Sequence, residues 1–112
     1  MKVLSIFTLD PATAQPPTPE QAAIMGKFIE ELKRKGALID TGGVMDGSLE
    51  IKVERKRGKR TVTDGPFAEA KEMVGGYALF DVTGRDEAIE YTDRFLDIVG
   101  DATCYLHEVS EV

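Results

Sequence analysis

The chain has 112 residues, of which 42% are hydrophobic and 30% charged, with a formal net charge of −6 and one cysteine. That length holds one core and therefore one domain, and the composition is that of a globular protein rather than a disordered one. A lone Cys104 excludes an internal disulfide scaffold, the acidic balance argues against nucleic acid or anionic lipid as main partner, and no apolar run nears the roughly 18 to 20 residues of a membrane span; with no signal-like opening, a cytoplasmic setting is expected, with a small molecule or another protein as partner.

Residues 2–9, Lys-Val-Leu-Ser-Ile-Phe-Thr-Leu, are rich in β-branched and aromatic types and run into Asp10-Pro11, which reads as a strand ending in a turn. Val3 and Phe7 alternate with Leu4 and Ile6, so both faces of this strand are apolar and both call for a cover. Prolines at 11, 16, 17 and 19 make the next stretch an irregular connector. Thr18-Pro19-Glu20-Gln21 is then a capping box with proline at the first helical position. The helix it opens is expected to run to about Lys35, with Met25, Phe28, Ile29 and Leu32 on one stripe and Gly36 to stop it.

Ala37 to Val44 reads as a second strand, broken at Gly42-Gly43, and Leu49, Ile51 and Val53 alternate with Glu50, Lys52 and Glu54 as a half-exposed third. Asp46-Gly47 between them predicts a hairpin joining the two. The run Arg55 to Arg60, with Gly58 inside it, lacks the interleaved aromatics of a nucleic-acid site and reads as a solvated hairpin tip, from which Thr61-Val62-Thr63 returns as a short strand. Tyr77 to Val82 is a strand apolar on both faces, Arg85 to Val99 has helical spacing through Ala88, Thr92, Phe95 and Val99 with Ile89 and Leu96 alongside, and Thr103 to Val109 is a closing strand. With the extra hairpin set aside, strand, helix, strand, strand, helix, strand is the ferredoxin-like βαββαβ plan of an α+β domain.

Between the fourth and fifth of these strands lies the densest set of polar groups, Asp64-Gly65-Pro66-Phe67, then Glu69, Lys71-Glu72 and Gly75-Gly76-Tyr77. Asp64 has two readings: a turn cap accepting backbone N–H bonds, or a general acid or base at a pocket mouth, with Glu69 and Glu72 as its neighbours. Glu69, Lys71 and Glu72 are either a solvated charged loop or groups led towards a ligand by Phe67, Met73 and Val74. Gly75-Gly76 precedes a strand rather than a helix, so it is no nucleotide loop; a bulge or a close backbone approach is the expected use. Cys104 reads as an inert strand thiol, no zinc-ligand spacing exists, and no cofactor is expected, since only His107 or Cys104 offers an axial ligand to haem.

This segment, by the order and spacing of those residues, resembles the DGPF subgroup of the YCII-related family, and the likeness extends over nearly the whole chain. The resemblance implies a ferredoxin-like domain that pairs as a homodimeric α+β barrel, in which a second copy covers the strands that are apolar on both faces. It does not carry over the family's paired histidine and aspartate, because the first helix here has no histidine and its corresponding turn falls near Met25. Nor is the family's Glu-Val-Arg-Pro ending present; the chain reads Glu108-Val109-Ser110-Glu111. The function expected is binding of a small polar molecule in a cleft between sheet and helices, with Asp64, Glu69 and Glu72 as acid/base candidates and Lys71, Gly75, Gly76 and Tyr77 as ligand-binding candidates. The alternative implied by the resemblance is a non-catalytic regulatory or protein-interaction module associated with sigma-factor systems.

Overall fold

The computed structural model describes residues 1–45, 49–65, 67 and 73–110. The first strand, β1 (Lys2–Leu9), ends where the Asp10 side chain accepts a hydrogen bond from the Ala12 N–H at 2.9 Å. Helix α1 (Pro19–Arg34) begins at the expected capping box: Thr18 Oγ1 accepts from the Gln21 N–H at 3.1 Å, and Gln21 Oε1 accepts from the Thr18 N–H at 2.9 Å. Strand β2 (Leu38–Gly43) follows, then β3 (Ile51–Lys56), β4 (Lys59–Asp64), β5 (Met73–Asp81), helix α2 (Arg85–Val99) and β6 (Thr103–Val109).

Four strands form one antiparallel sheet in the order β2-β5-β1-β6, and β3 and β4 form a separate two-stranded sheet. Both helices lie on one face of the larger sheet. Phe28 and Leu32 of α1 and Ala88 and Tyr91 of α2 pack against Val3, Leu38, Phe80 and Val82. Leu32 is 1% exposed, and burying such a side chain stabilises by about 1.5–3 kcal/mol. Two aromatic pairs tie α2 to the strands: Phe7 meets Phe95 edge-on at 5.1 Å, and Phe80 stacks on Tyr91 at 6.2 Å. Arg94 joins the helices by donating to both carboxylate oxygens of Glu31, at 2.9 and 3.1 Å, while lying 4.8 Å above the Phe28 ring. Among the described residues, no helix is long and apolar enough to cross a membrane.

Three expectations need correction. β2 does not pair with β3: it hydrogen-bonds to β5, and β3 pairs with β4. The turn that makes the hairpin is Arg57-Gly58, whose φ angles of 52° and 78° give the two successive left-handed positions of a tight two-residue connection. Asp46-Gly47 lies outside the described residues. The strand after the glycine pair starts earlier than composition predicts, at Met73, so Gly75 and Gly76 are inside β5 rather than ahead of it. On α2, Tyr91 joins Ala88 and Thr92 in the buried face, while Ile89 turns outward.

Candidate functional site

Alternation along β1 sends Val3 and Ser5 into the helix-covered core and leaves Leu4 and Ile6 on the other face, away from both helices. Strand register extends that face into two rows. Asp40, Leu79, Leu4 and His107 form one; Gly42, Tyr77, Ile6 and Tyr105 form the next. The open face is thus an apolar floor of Leu4, Ile6 and Leu79 with polar groups at its edges.

Its best-defined polar contact is at the β2–β5 edge. Tyr77 Oη donates to Asp40 Oδ2 at 2.8 Å, and Thr41 Oγ1 donates to the Tyr77 carbonyl at 2.8 Å. The hydrogen bond to the Asp40 carboxylate, helped by partial desolvation and the negative charge, raises the Tyr77 phenol above its usual pKa. The phenol therefore keeps its proton near neutral pH and is the donor of this hydrogen bond. Asp40 keeps a carboxylate oxygen that the phenol does not use, and the phenol oxygen keeps acceptor capacity.

Glycines let the ring take this position. A Cβ on Gly42 would meet Tyr77 Cε1 at 2.9 Å, so the tyrosine lies flat over bare backbone. Gly76 stands equally close to β2, where a Cβ would come within 2.7 Å of the Gly42 carbonyl oxygen. Gly75 is the additional residue at the register shift between Phe7 and Thr8 of β1, and a Cβ there would strike the Phe7 ring at 2.7 Å. The expected bulge and the expected close approach both occur, one on each glycine.

Of the residues singled out from the sequence, Gly75, Gly76 and Tyr77 come together on β5. Tyr77 sits on the side of the sheet away from the helices, so the cleft between sheet and helices is not where it points. Asp64 is exposed and closes β4, opposite Ile51, on the separate hairpin sheet, with the following Gly65 N–H donating to the Glu50 carbonyl at 2.7 Å. Glu69, Lys71 and Glu72 lie outside the described residues. Asp40 escaped the sequence reading. Its signal was a carboxylate two residues before the Gly42-Gly43 break, at the same strand parity as Gly42, but only the tertiary pairing with β5 brings it to Tyr77.

His107 is exposed at the far end of the Asp40 row, and Cys104 faces the helices, half-buried, its thiol pushed up by desolvation. A hollow of about 350 Å³ between the helices is lined by Ile24, Lys27, Phe28, Glu31, Arg94 and Asp97, with Ile98. Its charged centre is already occupied internally: Arg94 holds Glu31 below the ordinary carboxylate range, and Glu31 in turn raises Arg94. That hollow is a helix clamp more than a ligand site.

The family model for the YCII-related domain matches residues 1–95, a span containing β1 to β5, α1 and most of α2, and with them Asp40, Asp64, Gly75, Gly76 and Tyr77. An uncharacterized protein of Rhizobium meliloti (strain 1021) is 30% identical over 70 residues, which is 62% of this chain and 53% of that protein. The chain spans about half the length of this curated relative.

Proposed function

The chain belongs to the YCII-related family, and on that premise we propose that it binds a small polar molecule on the open face of its sheet, against Tyr77 and Asp40. The observation that carries this is the 2.8 Å Tyr77–Asp40 hydrogen bond set beside a half-buried apolar floor that neither helix covers. A donor–carboxylate pair with spare acceptor capacity suits a ligand bearing hydroxyl or amino donors on an apolar or ring framework, which Leu4, Ile6 and Leu79 would support. The strand order β2-β5-β1-β6 supports the ferredoxin-like reading, and the bare face supports pairing of two sheets as a dimeric α+β barrel. In that pairing a second copy roofs the floor and turns it into a closed cleft.

Acid/base catalysis belongs to the same proposal at a lower level of detail. Tyr77 would supply a proton, and Asp64 at the end of β4, with Glu69 and Glu72 from the segment that joins β4 to β5, would supply carboxylates. The test is a fragment screen by NMR with small hydroxylated and amino-substituted aromatics. Binders should shift the amides of Leu4, Ile6, Tyr77, Leu79 and Tyr105, and Tyr77→Phe or Asp40→Asn should weaken them about tenfold, the value of one charge-assisted hydrogen bond. Shifts confined to other surfaces would sink the reading. Asp64→Asn, at unchanged melting temperature, should also weaken binding if that carboxylate reaches the ligand; unchanged affinity removes Asp64 from the site.

A further inference from the structure

The hairpin of β3 and β4 carries an apolar face that its own chain leaves bare. Val53 lies opposite Val62, and Ile51 is two residues along on the same face; they are 63, 55 and 47% exposed. Among the described residues the only extensive packing of this arm is between its own two strands. The molecule reaches 45 Å along its longest axis, and its radius of gyration is 16.1 Å where about 13 Å is usual for a compact domain of this size.

The arm is also charged against itself. Arg55 stands directly opposite Arg60 and Lys56 opposite Lys59, with Arg57 in the turn between them. Like charges in opposed positions destabilise a hairpin, and an isolated two-stranded hairpin is marginal in water to begin with. Glu54 answers part of this through Lys52 at 3.4 Å and Lys56 at 3.6 Å. Among the described residues no carboxylate pairs with Arg55, Arg57, Lys59 or Arg60. The arm therefore fits a surface that is acidic.

The chain carries that surface itself. Asp86, Glu90, Asp93 and Asp97 recur at helical spacing along the exposed side of α2, where like charges at such spacing repel; among the described residues Arg85 lies 3.9 Å from Asp86, well out in solvent, and Arg94, already held by Glu31, adds its charge beside Glu90. Because the arm is net basic within a chain of net charge −6, the body it leaves behind is more acidic than the whole. Two sheets paired about a two-fold axis along the strands place the β2 edge of each beside the β6 edge of the other. The arm follows β2, and α2 leads into β6.

We infer that two copies of this chain exchange arms, the basic hairpin Ile51–Asp64 of each docking on the acidic face of α2 of the other. Reciprocal docking closes the assembly as a dimer, satisfies the arginines of the tip and covers Ile51, Val53 and Val62. The inference rests on the pairing of two copies proposed above and adds a contact that pairing alone does not require.

Sedimentation velocity at low and high salt tests it with the full chain. Arg55→Glu with Arg60→Glu, and separately Glu90→Lys with Asp93→Lys, should each raise the dimer dissociation constant about tenfold at low salt, the size of several exposed ion pairs lost together. Combining the four substitutions in one chain should recover most of that loss, and 1 M salt should erase the differences, since screening there acts within about 3 Å. Far-UV circular dichroism of each variant confirms that the sheet and helices are intact. A dissociation constant unmoved by either pair, or no recovery in the combination, overturns arm exchange; if Ile6→Lys still dissociates that dimer, the sheet pairing stands without it. A wild-type chain that stays monomeric at every concentration overturns both.

Discussion

At the scale of single residues, the Tyr77–Asp40 contact makes a sharp statement about protons. The phenol must keep its proton to donate at 2.8 Å, and ionising it sets a phenolate against a carboxylate. Its folded pKa is raised above the ordinary 10.0, so the stability this contact adds is present in full below about pH 10 and is lost as pH rises through the folded value. An ultraviolet phenolate titration, with the Tyr77 step identified by its loss in Tyr77→Phe, should show that phenol ionising late. Asp40→Asn should bring the Tyr77 step back down, and a Tyr77 step that this substitution leaves unmoved would disprove the pairing in solution. Tyr77 was legible from sequence as a strand residue beside paired glycines. Asp40 was not, because nothing local in Leu38-Ile39-Asp40 says which neighbour β2 will choose, and the contact spans 37 positions of chain.

At the scale of elements, local chemistry and tertiary choice divide cleanly. Helix α1 was readable from end to end, since its capping box, its N1 proline and the glycine after its last turn are all short-range signals. The hairpin was readable as a hairpin but not as a partner: Asp-Gly drew β3 towards β2, whereas β5 offers β2 a long strand with Phe80 and Leu79 to pack, and Arg57-Gly58 already closes β3 onto β4. Glycine roles follow the same division. Gly26 lies inside α1 with nothing within 4 Å of the place a methyl group would take, so Gly26→Ala should stabilise by about 0.5–1 kcal/mol through helix propensity. Gly76→Ala should destabilise by about 1–3 kcal/mol, because its methyl would meet the rigid Gly42 carbonyl at 2.7 Å and push β2 from β5. Urea unfolding of the two variants distinguishes these signs. Equal effects would mean that the β2–β5 edge gives way more easily than its backbone contact implies.

At the scale of the whole molecule, the layers are unbalanced. The thinnest dimension, 19 Å, has room for one helix layer of about 10 Å and one sheet, and no third layer. An antiparallel sheet can leave one face to water, but then that face is polar, and here its centre is Leu4, Ile6 and Leu79. The same imbalance is written into the alternation of residues 2–9, where both parities are apolar, and this is why the amino-acid order alone calls for a cover. If a second copy supplies it, folding and association are linked, and the stability of the chain must depend on how much of it is present. The melting temperature should then climb steadily with protein concentration from the low micromolar to the high micromolar range. Ile6→Lys, which sets a charge in the middle of the floor while leaving the helix-side core untouched, should make it independent of concentration; a wild-type melting temperature that is flat over that range would mean that the open face meets solvent alone.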